Sequence, residues 1–499
     1  MAMPNLTSTA NALRRSILGH NEWLLDAGGK TFYLLSNEVS VITIAGKIEF
    51  GYLDDTGYRQ RCLAGVRFDD GSIKLEFAEN PDDGYQTAEL VPRTLALDLR
   101  ESVESSRLRT ANSIAEKLKA QHRNFKPLRV ALNDRNGRFA EILAQNGVGY
   151  VAVLADVSGA LTHEALLAKA FVWLRALSAR KKQRIETIWL VADRKHSGPL
   201  RALSACLGES SAREIRIWAP RVAGKSNGEP HEASYAELNA RDFNSLWSGR
   251  LARLRLLKDK NPTRFASQLL RLDTENLDRI YSAKGETLRF NGLPFARTRL
   301  IGGEEKVWFG IENEKSSLTS DNEMEFEDLL ENLKQYRRHD SPNKQHEYYR
   351  GAPEAWLESI LRRNIKALDA NLVLSPIYNQ FRAAREKIDL LALRRDGRLV
   401  IIELKIAPDR EMVFQAADYW RKVESQRRRG NLAAARLFGG KRIADRPTLV
   451  YLVAPTLGFH MDTEFLARKL SERINIYRFD LAENWRERIS VLRRRRIGV

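Results

Sequence analysis

Seven consecutive residues, Val400–Ile401–Ile402–Glu403–Leu404–Lys405–Ile406, constrain this chain more than any other stretch. An apolar run of this length reads as a strand covered on both faces, yet a glutamate and a lysine interrupt it. Side chains alternate along a strand, so Glu403 and Lys405 share one face and Leu404 points away. Two charges inside a buried run are costly unless they are paired with each other or hold a cation. A structural salt bridge and a cation site are therefore the two alternatives.

The preceding strand, Ile388–Leu393, carries Asp389, and Asp396–Gly397 supplies the turn. A two-residue turn pairs Arg395 with Arg398 and puts Asp389 opposite Leu404. A three-residue loop, Arg395–Asp396–Gly397, pairs Arg394 with Arg398 and puts Asp389 directly opposite Glu403. Loops of the second kind end on a residue in the left-handed region, and Gly397 falls at that place. Two carboxylates about 5 Å apart at their Cβ atoms would then make an oxygen-rich cation site. Around this hairpin, from Ala352 to Ala482, the expected order is helix, three strands, helix, strand, helix, strand. Pro353 opens the first helix, with Trp356, Leu357, Ile360 and Leu361 as its apolar face. Leu372–Tyr378 begins the sheet, Val413–Ser425 is helical, and Leu449–Val453 and Ile474–Phe479 are strands flanking the helix Thr463–Leu470.

Asp389…Glu403–Leu404–Lys405 resembles the PD-(D/E)XK nuclease superfamily, over about residues 353 to 485. Glu358 matches the family's additional helical acid, and Gln415–Ala416–Ala417–Asp418–Tyr419 matches the Q-x-x-x-Y element of RecB-like members. Ile388 stands where the family name implies proline, a position that varies in the superfamily. The resemblance implies a restriction-endonuclease-like α/β/α domain that hydrolyses phosphodiesters with Mg²⁺, for which Mn²⁺ substitutes. Asp389, Glu403 and the backbone carbonyl of Leu404 would hold the metal, and Glu358 would complete a second metal site. Lys405 would orient water or stabilise developing charge. Gln415 and Tyr419, one turn apart on one helical face, belong to the catalytic set, although core packing would also explain Tyr419. Lys422 continues that stripe toward the phosphates, and Arg427, Arg428 and Arg429 are the nucleic-acid-binding cluster beyond it.

The expected fold class is multidomain α/β and α+β. A length of 499 residues suggests about three domains as a prior, and the pattern divides further. Residues 1–100 are β-rich, 101–222 form an α/β domain, 245–345 mix helix and strand, and 346–499 form the nuclease domain. Pro220–Ser234 and Ser341–Lys344 read as linkers. The 148–218 segment echoes the nuclease order, with Val151–Asp156 corresponding to Val400–Lys405 but lacking E-x-K. It is compatible with a degenerate, non-cutting nuclease-like copy, and equally with any α/β segment. His163 and His196 lack metal-ligand spacing.

Charge narrows the partners. Eighty-two Lys and Arg against 64 Asp and Glu give a net charge of +18, with clusters at Arg180–Arg184, Arg427–Arg429 and Arg493–Arg496. Such clusters suit a polyanion, and the resemblance favours DNA over RNA. The two cysteines, Cys62 and Cys206, exclude a disulfide scaffold and a cysteine zinc cluster. No apolar stretch is long enough to span a membrane and no secretory signal is expected, so the expected compartment is the cytoplasm. A homo-oligomer is compatible with the sequence. The leading expectation is a metal-dependent DNA endonuclease of genome defence or repair. The alternative is a nucleic-acid-binding or ligand-sensing regulatory protein whose nuclease domain is vestigial or conditionally activated.

Overall fold

A computed structural model describes residues 6–498 apart from 28–29, 45, 55–56, 70–71, 79–86, 94–96, 134–136, 180–184, 222–233, 240–242, 248–260, 283–284, 312–315, 375–381, 384–385, 388 and 439. The Arg180–Arg184 cluster, most of the first linker and Ile388 lie outside the described residues. The chain packs as two compact units, Met1–Arg201 with Arg213–Asn239, and Ala202–Ala212 with Ala240–Val499.

The first unit begins with a helix, Leu6–Leu18, and a seven-stranded antiparallel sheet between Glu22 and Pro92. Alternating strand residues such as Ile73, Leu75 and Phe77 bury one face together with Leu13 and Ile17 of the helix. An α/β sheet follows. Helix α1 (Leu97–Gln121) precedes β1 (Phe125–Leu132), β2 (Phe139–Asn146) and β3 (Gly149–Asp156). Helix α2 (His163–Ser178) then leads to β4 (Ile185–Val191), and β5 (Ile215–Pro220) and β6 (Tyr235–Leu238) complete the sheet. The spatial order is β1-β2-β3-β4-β5-β6, with β3–β4 and β4–β5 parallel and every other pair antiparallel.

The second unit repeats this plan. Helix α3 (Pro353–Arg363) precedes β7 (Leu372–Leu374), β8 (Leu390–Arg394) and β9 (Leu399–Leu404). Helix α4 (Met412–Arg428) leads to β10 (Leu449–Pro455), β11 (Asn475–Leu481) and β12 (Val491–Ile497). Again the strands lie in chain order, with the third, fourth and fifth mutually parallel and the remaining pairs antiparallel. Every residue of β9 and of β10 is buried, because helices cover both faces of the parallel strands. The two sheets thus share strand order, strand direction and the positions of the helices before the first strand and after the third. The echo expected from sequence is present as topology.

Residues 245–345 and 346–499, expected as separate regions, pack within one compact unit. A five-stranded antiparallel meander runs from Leu277 to Ser317. Its Asn291–Gly292 turn has both φ angles positive, at 42° and 82°, as a two-residue hairpin loop requires. A Cβ on Gly292 would lie 2.0 Å from the Ala355 carbonyl oxygen, so only glycine lets the turn reach α3. Ser359 donates to Asp278 at 2.8 Å, and Arg363 donates to Asn291 at 2.9 Å. Ser341–Lys344 is an ordered turn, with the Ser341 N–H on the Arg338 carbonyl at 3.1 Å and the Ser341 side chain buried.

Arg337 closes this junction. Its guanidinium is fully buried and donates to the carbonyls of Tyr348 (2.6 Å), Asn291 (3.0 Å), Ala352 (3.2 Å) and Gly351. It also stacks 4.4 Å from the Trp356 ring centre. Burial, reinforced by Arg486, draws its pKa down to about 9. Replacing the guanidinium leaves the buried Asn291 carbonyl and three part-buried ones without their donor, at a cost of up to about 1–3 kcal/mol for each group that stays unsatisfied. Arg337→Met should therefore lower stability by about 3 kcal/mol or more, read from urea unfolding. A loss below 1 kcal/mol would show that the carbonyls find other donors.

Candidate active site

The hairpin between β8 and β9 pairs Leu390 with Ile402 and Leu393 with Leu399. Continued one residue past its last pair, that register sets Asp389 opposite Glu403. The loop is the three-residue kind: Arg394 N–H donates to Arg398 O at 2.8 Å, Gly397 N–H donates to Arg394 O at 2.8 Å, and Gly397 has φ +81°. Ala444 and Arg442 backbone atoms press against Gly397 at 3.1 Å from where a Cβ would stand. The turn is thus held by its own conformation and by its surroundings.

Asp389 Oδ2 accepts the Leu404 N–H at 2.8 Å, which locks the first carboxylate against the end of β9. Glu403 is buried, with Oε1 3.9 Å from Lys405 Nζ and with Oε2 accepting no hydrogen bond from the described protein. Burial, with Asp389 next in weight, pushes the Glu403 carboxyl well above the usual range; Glu354 and Asp409 add to this and Lys405 opposes it. Burial alone would lower the Lys405 ammonium, but Glu403 and Asp409 outweigh it and raise its pKa. Lys405 Nζ also sits 2.9 Å from Asp409 Oδ2. Buried glutamate, adjacent aspartate and paired lysine therefore share one end of the parallel strands.

The expected helical acid is engaged by the meander. Glu358 is buried and faces Arg289 of the meander at 3.5 Å, and Arg289 also pairs with Asp278 at 2.7 Å. Glu354, one turn earlier on α3, is the helical carboxylate whose charge acts on both Glu403 and Lys405. Asp409 likewise escaped sequence reasoning. Its signal was its position four residues beyond Lys405; that of Glu354 was its place one turn before Glu358.

Helix α4 brings Gln415 and Tyr419 to one half-buried face. Gln415 Oε1 is buried and has no hydrogen-bond partner among the described residues. Lys422 and Arg421 are both held by the buried carboxylate of Asp418, and Lys422 Nζ lies 5.9 Å from the Tyr419 ring centre. The basic cluster beyond is largely committed inside the protein. Arg427 is buried between Glu424 (2.6 Å) and Asp445 (2.7 Å), a correction to its expected role at phosphate. Arg428 shares Glu424 at 3.1 Å and lies over the Trp247 ring, while exposed Arg429 donates to the Trp247 carbonyl at 2.9 Å. On β12, Arg494 faces Asp369 at 3.3 Å and Arg495 faces Glu464, leaving Arg493 and Arg496 exposed.

In the first unit, the corresponding hairpin has no such pair. Leu154 is opposite Glu141, and Glu141 faces Lys169 at 2.7 Å. Asp156 spends its carboxylate on its own loop, accepting from Ser158 (2.8 Å), Gly159 (3.1 Å) and Leu161 (3.1 Å). No protein-family model matches the chain, and no curated protein is significantly similar to it. No described helix is long and apolar enough to cross a membrane.

A donor set of hard oxygens around one orphaned carboxylate oxygen fits Mg²⁺ or Mn²⁺. Crowding of like charge makes the metal-free site unfavourable. Millimolar Mn²⁺ should therefore raise the melting temperature of the native protein. Glu403→Gln should raise the melting temperature without metal and remove most of the Mn²⁺ response in thermal scans. An unchanged Mn²⁺ response in this variant would place the ion elsewhere.

Proposed function

We propose that the protein is a metal-dependent nuclease of the PD-(D/E)XK kind, acting on DNA. The observation that carries this reading is the register that sets Asp389 opposite Glu403, with Lys405 on the Glu403 side of the same strand. Asp389, Glu403 and the Leu404 carbonyl would hold Mg²⁺, with Glu354 rather than Glu358 completing the carboxylate set. Bound there, the ion would supply Lewis-acid polarisation of a phosphate oxygen and a lowered water pKa.

The chain's own residues do the rest. Asp409 holds the Lys405 ammonium charged and aimed along the Glu403 face. From there Lys405 orients the attacking water or offsets charge developing on the phosphoryl oxygens. Gln415, whose side-chain oxygen is unsatisfied, is placed on the helix after the site to position water or substrate. The buried strands exclude bulk solvent from one side, which strengthens each of these interactions.

The β1–β6 sheet keeps the topology and lacks the opposed carboxylates, so we read it as a non-cutting module in a chain that also carries an intact catalytic one. An intact Asp389, Glu403 and Lys405 favours this over a wholly vestigial protein. Genome defence or repair is the setting we favour for such an enzyme, with a cytoplasmic location.

Cleavage of single-stranded and duplex DNA should require Mg²⁺ or Mn²⁺ and cease in EDTA. Asp389→Ala, Glu403→Ala and Lys405→Ala should each lower the rate by about a hundredfold or more. Glu354→Gln should impair cleavage at unchanged stability, whereas Glu358→Gln should chiefly destabilise the fold. Gel-resolved cleavage rates beside thermal melts check both. Undiminished cleavage by the Glu403 variant would overturn the assignment.

A further inference from the structure

A second pocket lies at the other end of the same parallel strands. Its volume is about 320 Å³, within the usual range of small-ligand sites. Phe243, Trp247 and Trp420 wall it, with ring centres 5.7–6.0 Å apart. Trp420 is anchored by its indole N–H on the Thr448 carbonyl at 2.9 Å, whereas Phe243 and Trp247 are half-buried. Arg428 stacks 4.2 Å from the Trp247 ring centre and Arg473 stacks 4.9 Å from that of Phe243. No aspartate or glutamate lines the pocket among the described residues. Glu424 touches Arg428 at 3.1 Å, but it is already engaged by Arg427 at 2.6 Å and by the Thr448 hydroxyl at 2.8 Å. Arg427 has Asp445 as well, at 2.7 Å, so Glu424 and Asp445 offset Arg427 and Arg428, and the positive charge left at the pocket is that of Arg473.

The pocket is separate from the carboxylates. Pro447 and Asn475 place it at the amino-terminal ends of β10 and β11, while Glu403 and Lys405 sit at the carboxyl end of β9, parallel to them. Along α4, Gln415 and Arg428 are about 20 Å apart at the helical rise of about 1.5 Å per residue. That equals about six nucleotides at the duplex rise of about 3.4 Å.

We propose that this pocket binds a nucleotide, its base stacked against Trp247 and Phe243 and its phosphate on Arg428 and Arg473. Flat aromatic walls take any base face, and an arginine stacked on an aromatic ring keeps its N–H edge for phosphate oxygens. A free nucleotide and one nucleotide of a bound strand offer the same chemistry. The inference rests on the pocket alone and does not depend on cleavage.

The test uses the full chain in EDTA, titrated with deoxyadenosine monophosphate by calorimetry and with a 12-nucleotide oligodeoxyadenylate by fluorescence anisotropy. Trp247→Ala and Arg473→Glu should each weaken binding about fivefold or more, the loss expected for one base stack. Trp247→Phe should retain most of it, and Glu403→Gln should leave binding of the mononucleotide, too short to reach the carboxylates from the pocket, unchanged. Binding of the mononucleotide identifies a free-nucleotide site; binding of the oligonucleotide alone identifies a strand contact. Arg473 is exposed, so its variant reports on the pocket even if Trp247→Ala unfolds. Failure of both probes to bind at millimolar concentration, or affinities within twofold of native in Arg473→Glu and a folded Trp247→Ala, would overturn the proposal.

Discussion

The Arg337 guanidinium, buried without a carboxylate partner among the described residues and donating through its two terminal nitrogens to four main-chain carbonyls, ties together the elements on which the second unit depends. Its acceptors come from the Asn291 turn of the meander, from Tyr348 and Gly351, and from Ala352 at the start of α3. Ala352 has φ +40°, an uncommon value for a residue with a Cβ, and the Arg337 contact helps to hold it there. The direction in which α3 leaves this point sets where Glu354 and Glu358 go. A charge held by backbone carbonyls and an aromatic ring fixes geometry more firmly than a surface ion pair, because each buried carbonyl left unmet is penalised.

From that junction the division between the two helical acids follows. Glu358 turns toward the meander and faces Arg289 at 3.5 Å, a guanidinium it shares with Asp278, next to the Asp278–Ser359 bond. Glu354, in the first turn of the same helix, acts on Glu403 and Lys405. The meander is thus part of the support of the carboxylate site. This is why residues 245–345 pack into one unit with the α/β sheet that follows.

Two sheets of the same topology carry different side chains at the corresponding hairpin. Both copies place the end of the third strand beside a hairpin partner and a following helix, the natural position for a site in such sheets. In one copy the opposed pair is Asp389 and Glu403; in the other it is Glu141 and Leu154, and Asp156 is consumed by its own turn. Electrostatics explains why topology alone does not make a site: two facing carboxylates repel unless a cation joins them, whereas a glutamate beside leucine settles on a nearby lysine. Fold similarity and chemical role are therefore separable here.

What the sequence determined by itself is local. The period of two placed Glu403 and Lys405 on one face, Gly397 selected the three-residue loop, and that loop set the register that opposes Asp389 to Glu403. The uninterrupted apolar runs announced buried strands, and the Asn291–Gly292 and Gly302–Gly303 turns were readable because positive φ favours glycine and asparagine. Tertiary structure decided what depends on distant partners. It turned Glu358 to Arg289, brought Asp409 to Lys405, and committed Lys422 and Arg427 to buried acids instead of phosphate. It also assembled an aromatic pocket from Phe243, Trp247 and Trp420, segments more than 170 residues apart in sequence. The physical reason is range: strand periodicity and turn dihedrals are set within a few residues, whereas a charge or a ring acquires its role only from the side chains that folding packs against it.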